Sequence, residues 1–307
     1  MGKVIDLRAN GKLLLTGEYL VLAGAKALAL PLKFGQQLRA ETAPGKVLHW
    51  SSLQPGGVWF ECQIDLLTLE SIQASDPVVA GKLVDLLQAA RRLNRQFLME
   101  PHGYRVTTTA SYPVMWGLGS SSTLLSMVAE WAEVPAFDLL RLVSRGSGYD
   151  IACAGRDGLL FYQLKDGTPE VTDVVPGMAI RRHALFAWLG NKQESSSEVN
   201  NFLAGNNYTH EDVLRVSELS SLIAAAEAAD ELCSLVNEHE KIIGRILSRD
   251  PLSKRYPNFP GAVKSLGAWG GDFGMFVSAL DFREVKNLLA QKGITDVFTF
   301  DEIKATN

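Results

Sequence analysis

Residues 113–122 read PVMWGLGSSS, two glycines and three successive serines set between a strand-like run and an apolar helical one. Neither core packing nor helix propensity favours that composition, so its use must lie in the backbone. Upstream, YRVTTTASYPV at 104–114 alternates like a half-buried strand, and downstream TLLSMVAEWAEV carries helical periodicity. Ser120, Ser121 and Ser122 therefore occupy or adjoin the first turn of a helix. The first amides of a helix lack intrahelical partners and carry partial positive charge, which suits an anion and phosphate above all. Gly117 and Gly119 would let the backbone approach phosphate oxygens, and the serine hydroxyls could add donors or a magnesium contact. Taken alone, GLGSSS is equally well explained by an ordinary tight turn with a serine cap.

Two better-known phosphate motifs are absent. The pattern G-x-x-x-x-G-K-[ST] occurs nowhere, and G-x-G-x-x-G fails because Ser122 stands where its third glycine belongs. At 307 residues and 47% hydrophobic content the chain can bury a sizeable core in two lobes. Its net charge of −4 gives no general attraction to nucleic acid or anionic membranes, so an anionic ligand needs a local arrangement. Cys62, Cys153 and Cys233 are odd in number and without metal spacing, which points away from disulfides and zinc. MGKVIDLRAN lacks a signal-peptide core and no apolar run reaches membrane-spanning length. The expected location is cytoplasmic, without nucleic-acid or membrane partners, and the oligomeric state is open, a homodimer included.

Around the loop, KLLLTGEYLVLAG at 12–24 reads as two β-type stretches about Thr16-Gly17-Glu18. Val79, Leu83, Leu86, Leu87, Ala90 and Leu93 recur at helical spacing behind Asp76-Pro77, a cap followed by a first-turn proline. The turn-rich stretch 165–177 is the candidate boundary, dividing an N-terminal lobe at 1–170 from a C-terminal one at 171–307. Beyond it come a strand at HALFAWLG, a helix near 195–203, and helix from about 211 to 248 broken into two. Two strands joined by a glycine turn, a helix from Asp281 and a last strand at DVFTF complete the pattern.

The order NGKLLLTGEYLVLAG, PVMWGLGSSS, KSLGAWGGDFGMFV resembles the three motifs of the GHMP kinases, across nearly the whole chain. The middle motif P-x-x-x-G-L-G-S-S is matched at Pro113, Gly117, Leu118, Gly119, Ser120 and Ser121. GSGYDIA at 146–152 is similar to the S-G-x-D-x-A segment of the mevalonate and phosphomevalonate kinase branches, which implies that Asp150 is the catalytic aspartate and Lys12 its lysine partner. The resemblance implies an α+β fold with two lobes, a mixed N-terminal α/β lobe and a ferredoxin-like C-terminal one.

It also implies an ATP-dependent kinase acting on a small isoprenoid-pathway acid, phosphomevalonate ahead of mevalonate, with Mg2+. ATP phosphates would be held by Gly117, Leu118, Gly119, Ser120, Ser121, Ser122, Gly270 and Gly271, and the metal by Ser121. Glu18, Tyr19, Ser195, Ser196 and Ser197 would bind the acceptor. Three departures stand out. No glutamate lies ten residues before Asp150, only Asp138 nearby; Trp269 replaces a small glycine; and the usual threonine and lysine of the 188–200 segment are substituted. Alternatives are a nucleotide-binding homologue without turnover and a diphosphomevalonate decarboxylase.

Overall fold

A computed structural model describes residues 4–190, 199, 202, 205, 207–267, 269 and 272–306. The chain divides into two compact units. One holds Met1–Gly11, Phe34–Val114 and Leu118–Gly155; the other holds Lys12–Lys33, Met115–Gly117 and Arg156–Asn307. Strands β1 (Val4–Thr16) and β2 (Ala27–Ala43) each contribute to both. The expected boundary at 165–177 falls inside the second unit. There β7 (Leu159–Lys165) and β8 (Thr168–Val174) form a hairpin whose turn residues Asp166 and Gly167 both have positive φ. A twisted hairpin demands that backbone, so the polar residues that suggested a linker serve a two-residue turn.

In the first unit the sheet runs β5 (Ser71–Ala74), β4 (Gly57–Asp65), β3 (Val47–Gln54), β6 (Gly103–Ala110), then the later half of β2. β3 and β6 are parallel and the other pairs antiparallel, giving a mixed sheet. Its inward residues Leu38, Leu48, Trp50 and Val106 share one core with helix α1 (Pro77–Leu93) through Leu83, Leu87 and Ala90. The Asp76 carboxylate accepts from the Val78 and Val79 amides at 2.9 and 3.2 Å, the cap expected from the Asp-Pro signal. Helices α2 (Ser120–Trp131), α3 (Ala136–Val143) and α4 (Tyr149–Ala154) add Leu125, Val128, Leu139 and Ile151 to that core.

In the second unit the early half of β2 pairs with β7 from Ala27↔Tyr162 to Ala29↔Leu160. A separate antiparallel sheet has the order β10 (Ala262–Leu266), β11 (Phe273–Val277), β9 (Ala184–Trp188), β12 (Val297–Thr299). It is preceded by α5 (Met178–His183). Helices α6 (His210–Ala225) and α7 (Ala229–Leu247) separate β9 from β10, and α8 (Phe282–Ala290) separates β11 from β12. This βαββαβ order is the ferredoxin-like arrangement expected from the resemblance. A short α9 (Phe300–Ile303) follows. The expected break between α6 and α7 falls at Ala226, whose ψ of 135 leaves the helical region. Among the described residues no helix is long and apolar enough to cross a membrane.

Candidate functional site

The loop before α2 is set by two glycines in left-handed backbone, Gly117 at φ 72 and Gly119 at φ 96. Gly119 is the N-cap residue and offers no side chain, so no serine caps the helix. The ordinary serine-cap account of this loop is thereby set aside. The hydroxyl of Ser122 instead turns back to the Gly119 carbonyl at 2.8 Å, and the first bond of the helix is Thr123 N to Gly119 O at 3.0 Å. The Ser120, Ser121 and Ser122 amides precede that bond and have no acceptor within the helix. Ser121 is exposed, Ser120 half-buried and Ser122 buried. Leu118 is buried, and its carbonyl lies so near Gly11 that an added β-carbon there would meet it at 2.8 Å. The Thr123 hydroxyl donates to Gln36 Oε1 at 2.9 Å, tying the first turn of α2 to β2.

Helix α4 starts behind Gly148, also left-handed at φ 88, where an added β-carbon would lie 2.8 Å from the Phe137 ring. Two residues later stands Asp150, half-buried, its Oδ1 accepting from the Ile151 amide at 3.0 Å. Helices α2 and α4 pack directly on one another within the first unit. The open first turn of α2 and the helix bearing Asp150 are thus neighbours, although 26 residues intervene between Thr123 and Asp150 and no pattern among them dictates that packing.

In the second unit, Lys12 Nζ donates to the Gly117 carbonyl at 3.3 Å. The same glycine touches Asp272, whose largely buried carboxylate would be 2.6 Å from a β-carbon at 117. Asp272 lies in the third motif, KSLGAWGGDFGMFV, but is not among the site residues the sequence points to. Trp116 is held by Trp188, Phe273 and Phe298 at ring-centre distances of 6.2, 6.1 and 5.8 Å. The buried Trp188 indole N–H finds no acceptor among the described residues.

Glu18 and Tyr19, expected beside the acceptor, have buried side chains. The Glu18 carboxylate is bonded to the ammonium of Lys264, which also donates to Ser265 O at 2.8 Å and lies 4.0 Å from Glu240. His239 accepts from the Gly17 amide at 3.0 Å and has Glu18 at 3.6 Å. Burial, partly offset by Lys264, pushes the Glu18 carboxyl up to about 7. Burial also raises Glu240, while burial and the Lys264 charge hold His239 well below the usual histidine range. Tyr19 packs with Leu20, Phe202, Val216 and Trp269. Trp269, which replaces a small glycine of the third motif, is a core residue against α7, 3.2 Å from an added β-carbon at Gly244.

Ser195, Ser196, Ser197, Gly270 and Gly271 lie outside the described residues. Of the basic residues near the motifs, Arg156 is paired with Asp173 at 2.9 Å. Among the described residues no group of three or more His, Cys, Asp or Glu side chains could hold a metal ion. Ser121 supplies an exposed hydroxyl, and with no cluster of three such ligands among the described residues the donor set suits magnesium held mainly by phosphate and water.

No family model and no curated protein matches the sequence. Solved structures do match. The mevalonate kinase of Methanococcus jannaschii aligns over 99% of this chain and 99% of its own, with a TM-score of 0.73 at 13% identity. Streptococcus pneumoniae phosphomevalonate kinase, solved with phosphomevalonate and AMPPNP, aligns over 96% and 99%, with a TM-score of 0.70 at 19% identity. Lactococcus lactis galactokinase, solved with galactose, aligns over 98% and 93%, with a TM-score of 0.65 at 12% identity. From end to end, then, the chain has the fold of the GHMP kinases.

Proposed function

We propose that this protein is an ATP-dependent small-molecule kinase, acting on phosphomevalonate or mevalonate. The observation that carries the reading is the start of α2, where glycines leave three amides without helical acceptors and α4 brings an aspartate-bearing helix against it. A phosphate group fits the donors of that helix start: amides, hydroxyls and a positive helix end.

Phosphoryl transfer asks a protein chiefly to position reactants and stabilise charge. The Gly117–Ser122 amides would hold the nucleotide phosphates, and Ser121 would add a magnesium contact. Bound Mg2+ would neutralise developing charge on the phosphate oxygens. Asp150 would orient the acceptor hydroxyl and receive its proton as the new P–O bond forms, since a carboxylate is too weak a base to remove it beforehand. Lys12 would stabilise negative charge near Gly117. Glu18 and Tyr19 would act on the acceptor only indirectly, by fixing the shape of the 17–26 turn. The roles of Ser195, Ser196, Ser197, Gly270 and Gly271 rest on the sequence alone. Solved structures named for both mevalonate and phosphomevalonate kinases support the acceptor class; Tyr19 after Gly17-Glu18, where mevalonate kinases usually have histidine, and GGDFG, which resembles the G-G-D-C-G of phosphomevalonate kinases, favour the phosphorylated one.

Coupled ADP release with mevalonate, phosphomevalonate, homoserine and galactose tests this. Release with phosphomevalonate or mevalonate is expected; ATP binding without ADP release from any of them would reject turnover, and carbon dioxide release from diphosphomevalonate would point to the decarboxylase.

A further inference from the structure

Away from the motifs, the first unit has an open hollow of about 390 Å³ between the last turns of α1 and the β4–β5 connection. It is lined by Leu67, Thr68, Gln88, Arg91, Arg92 and Arg95, with Leu69 beneath, and none of these is acidic. Gln88, Arg91 and Arg92 stand on the last turns of α1 and Arg95 just beyond its extended C-cap Asn94, so three guanidinium groups line one hollow.

Arg91 has a structural duty. Its guanidinium donates to the carbonyls of Phe97 (3.0 Å), Leu66 (2.9 Å) and Leu98 (2.9 Å), and at 3.4 Å to Leu67. It thereby clamps the two loops that wall the hollow, with Gln88 donating to Leu69 O at 3.3 Å. Those carbonyls are neutral, so the charge of Arg91 is bonded but not cancelled by them; Glu100 acts on it from nearby. Arg92 and Arg95 are exposed and make no hydrogen bond or ion pair among the described residues. The partial negative charge at the end of α1 accounts for one cation, not for three in a single hollow.

We propose that this hollow is a binding site for a small phosphorylated anion, separate from the α2 loop. Planar guanidinium forks match phosphate oxygens in pairs, and Arg92 and Arg95 stand ready as such forks, with Arg91 supplying fixed positive potential. Leu67, largely exposed at the rim, offers apolar surface to an organic ester. A nucleic acid or a membrane would need an extended basic stripe, and a chain of net charge −4 with one basic hollow offers a concave, local site instead.

The test is isothermal titration of the full chain, saturated with a non-hydrolysable ATP analogue, with inorganic pyrophosphate. Arg92→Ala/Arg95→Ala and Arg92→Lys/Arg95→Lys are compared, with unfolding curves confirming that both fold. Expected is one pyrophosphate event that the alanine pair weakens by at least about tenfold and the lysine pair by less, and that fades with salt. An unchanged isotherm in the alanine pair, or no binding at all, overturns the proposal. So does sedimentation with phosphatidylserine vesicles that depends on the two arginines in the absence of any pyrophosphate event. Because kinase turnover is not the readout and both variants lie away from the α2 loop, loss of pyrophosphate binding in them is distinguishable from failure of the proposed activity.

Discussion

Gly117 and Asp272 touch at the one point where residue 117 has no side chain: a β-carbon there would lie 2.6 Å from Asp272 Oδ2 and 3.3 Å from its Cβ. Asp272 is short and largely buried, so it has little room to withdraw. Gly117→Ala is therefore expected to destabilise by about 2–3 kcal/mol, about 1–2 of it from left-handed backbone and the rest from the displaced carboxylate. Adding Asp272→Gly should recover the second part and not the first. Urea unfolding of the two variants measures the difference; equal stability of both would mean the contact carries no cost.

Asp150→Asn should lower kcat by about 10²–10⁴ while nucleotide affinity stays nearly unchanged, because the carboxylate is assigned to the acceptor and not to the phosphates. Titration with the ATP analogue, alongside the ADP-release rate, checks both halves. Near-normal turnover would remove Asp150 from the mechanism.

Lys264→Met should be among the most damaging single changes in the second unit. It strands the Glu18 carboxylate, fully buried, without its cation, at a cost of about 3–5 kcal/mol. Lys264→Met with Glu18→Gln removes both charges and should be clearly more stable than Lys264→Met alone. A double-mutant cycle by denaturant unfolding gives the coupling.

The same cluster fixes a pH dependence. In the fold Glu18 keeps its proton up to about pH 7, whereas an ordinary glutamate loses it near 4.5. The folded state therefore binds more protons between these values, and the stability owed to Glu18 is full below pH 4.5 and lost as pH rises through 7. His239 works the other way. Held neutral in the fold, it contributes stability above pH 6.5 that is lost as the unfolded chain takes up a proton below it. The two oppose each other between 4.5 and 6.5, with Glu240 on the side of Glu18. Glu18→Gln should make Tm climb more steeply with pH across that window than it does in the parent chain. Superimposable Tm profiles would show that Glu18 does not titrate there.

Much of the architecture could be read from sequence where a local signal sufficed. Asp76-Pro77 placed the start of α1 because a carboxylate cap and a fixed proline φ act within three residues. The α2 loop was equally legible, since only glycine takes Gly119's backbone cheaply. Where the outcome depended on distant partners, the reading stopped short. YLVLAG looked like a strand, yet Leu20–Ala23 winds into a 3-10 turn between Tyr19 at φ 62 and Gly24 at φ 87, its apolar residues going into the second unit's core. The glutamate of GEY and the lysine of KSLGAW bond to each other across 246 residues, and no pattern in either motif announces that. Asp272 likewise gains meaning only from the glycine it rests against. No sequence pattern singles out Arg91, Arg92 and Arg95, whose distinct parts come from the loop carbonyls and the hollow.

The path of the chain has a practical bearing on how this molecule can be dissected. It changes unit at Gly11–Lys12, Lys33–Phe34, Val114–Met115, Gly117–Leu118 and Gly155–Arg156. Cleavage at any one peptide bond, or truncation of the gene at any one codon, cannot separate the two: residues 1–155 hold the whole first unit but carry segments 12–33 and 115–117 of the second with it. During synthesis the first unit is complete once Gly155 has emerged, whereas the second must hold its early segment, residues 12–33, in waiting until the ribosome has delivered the remaining half of the polypeptide.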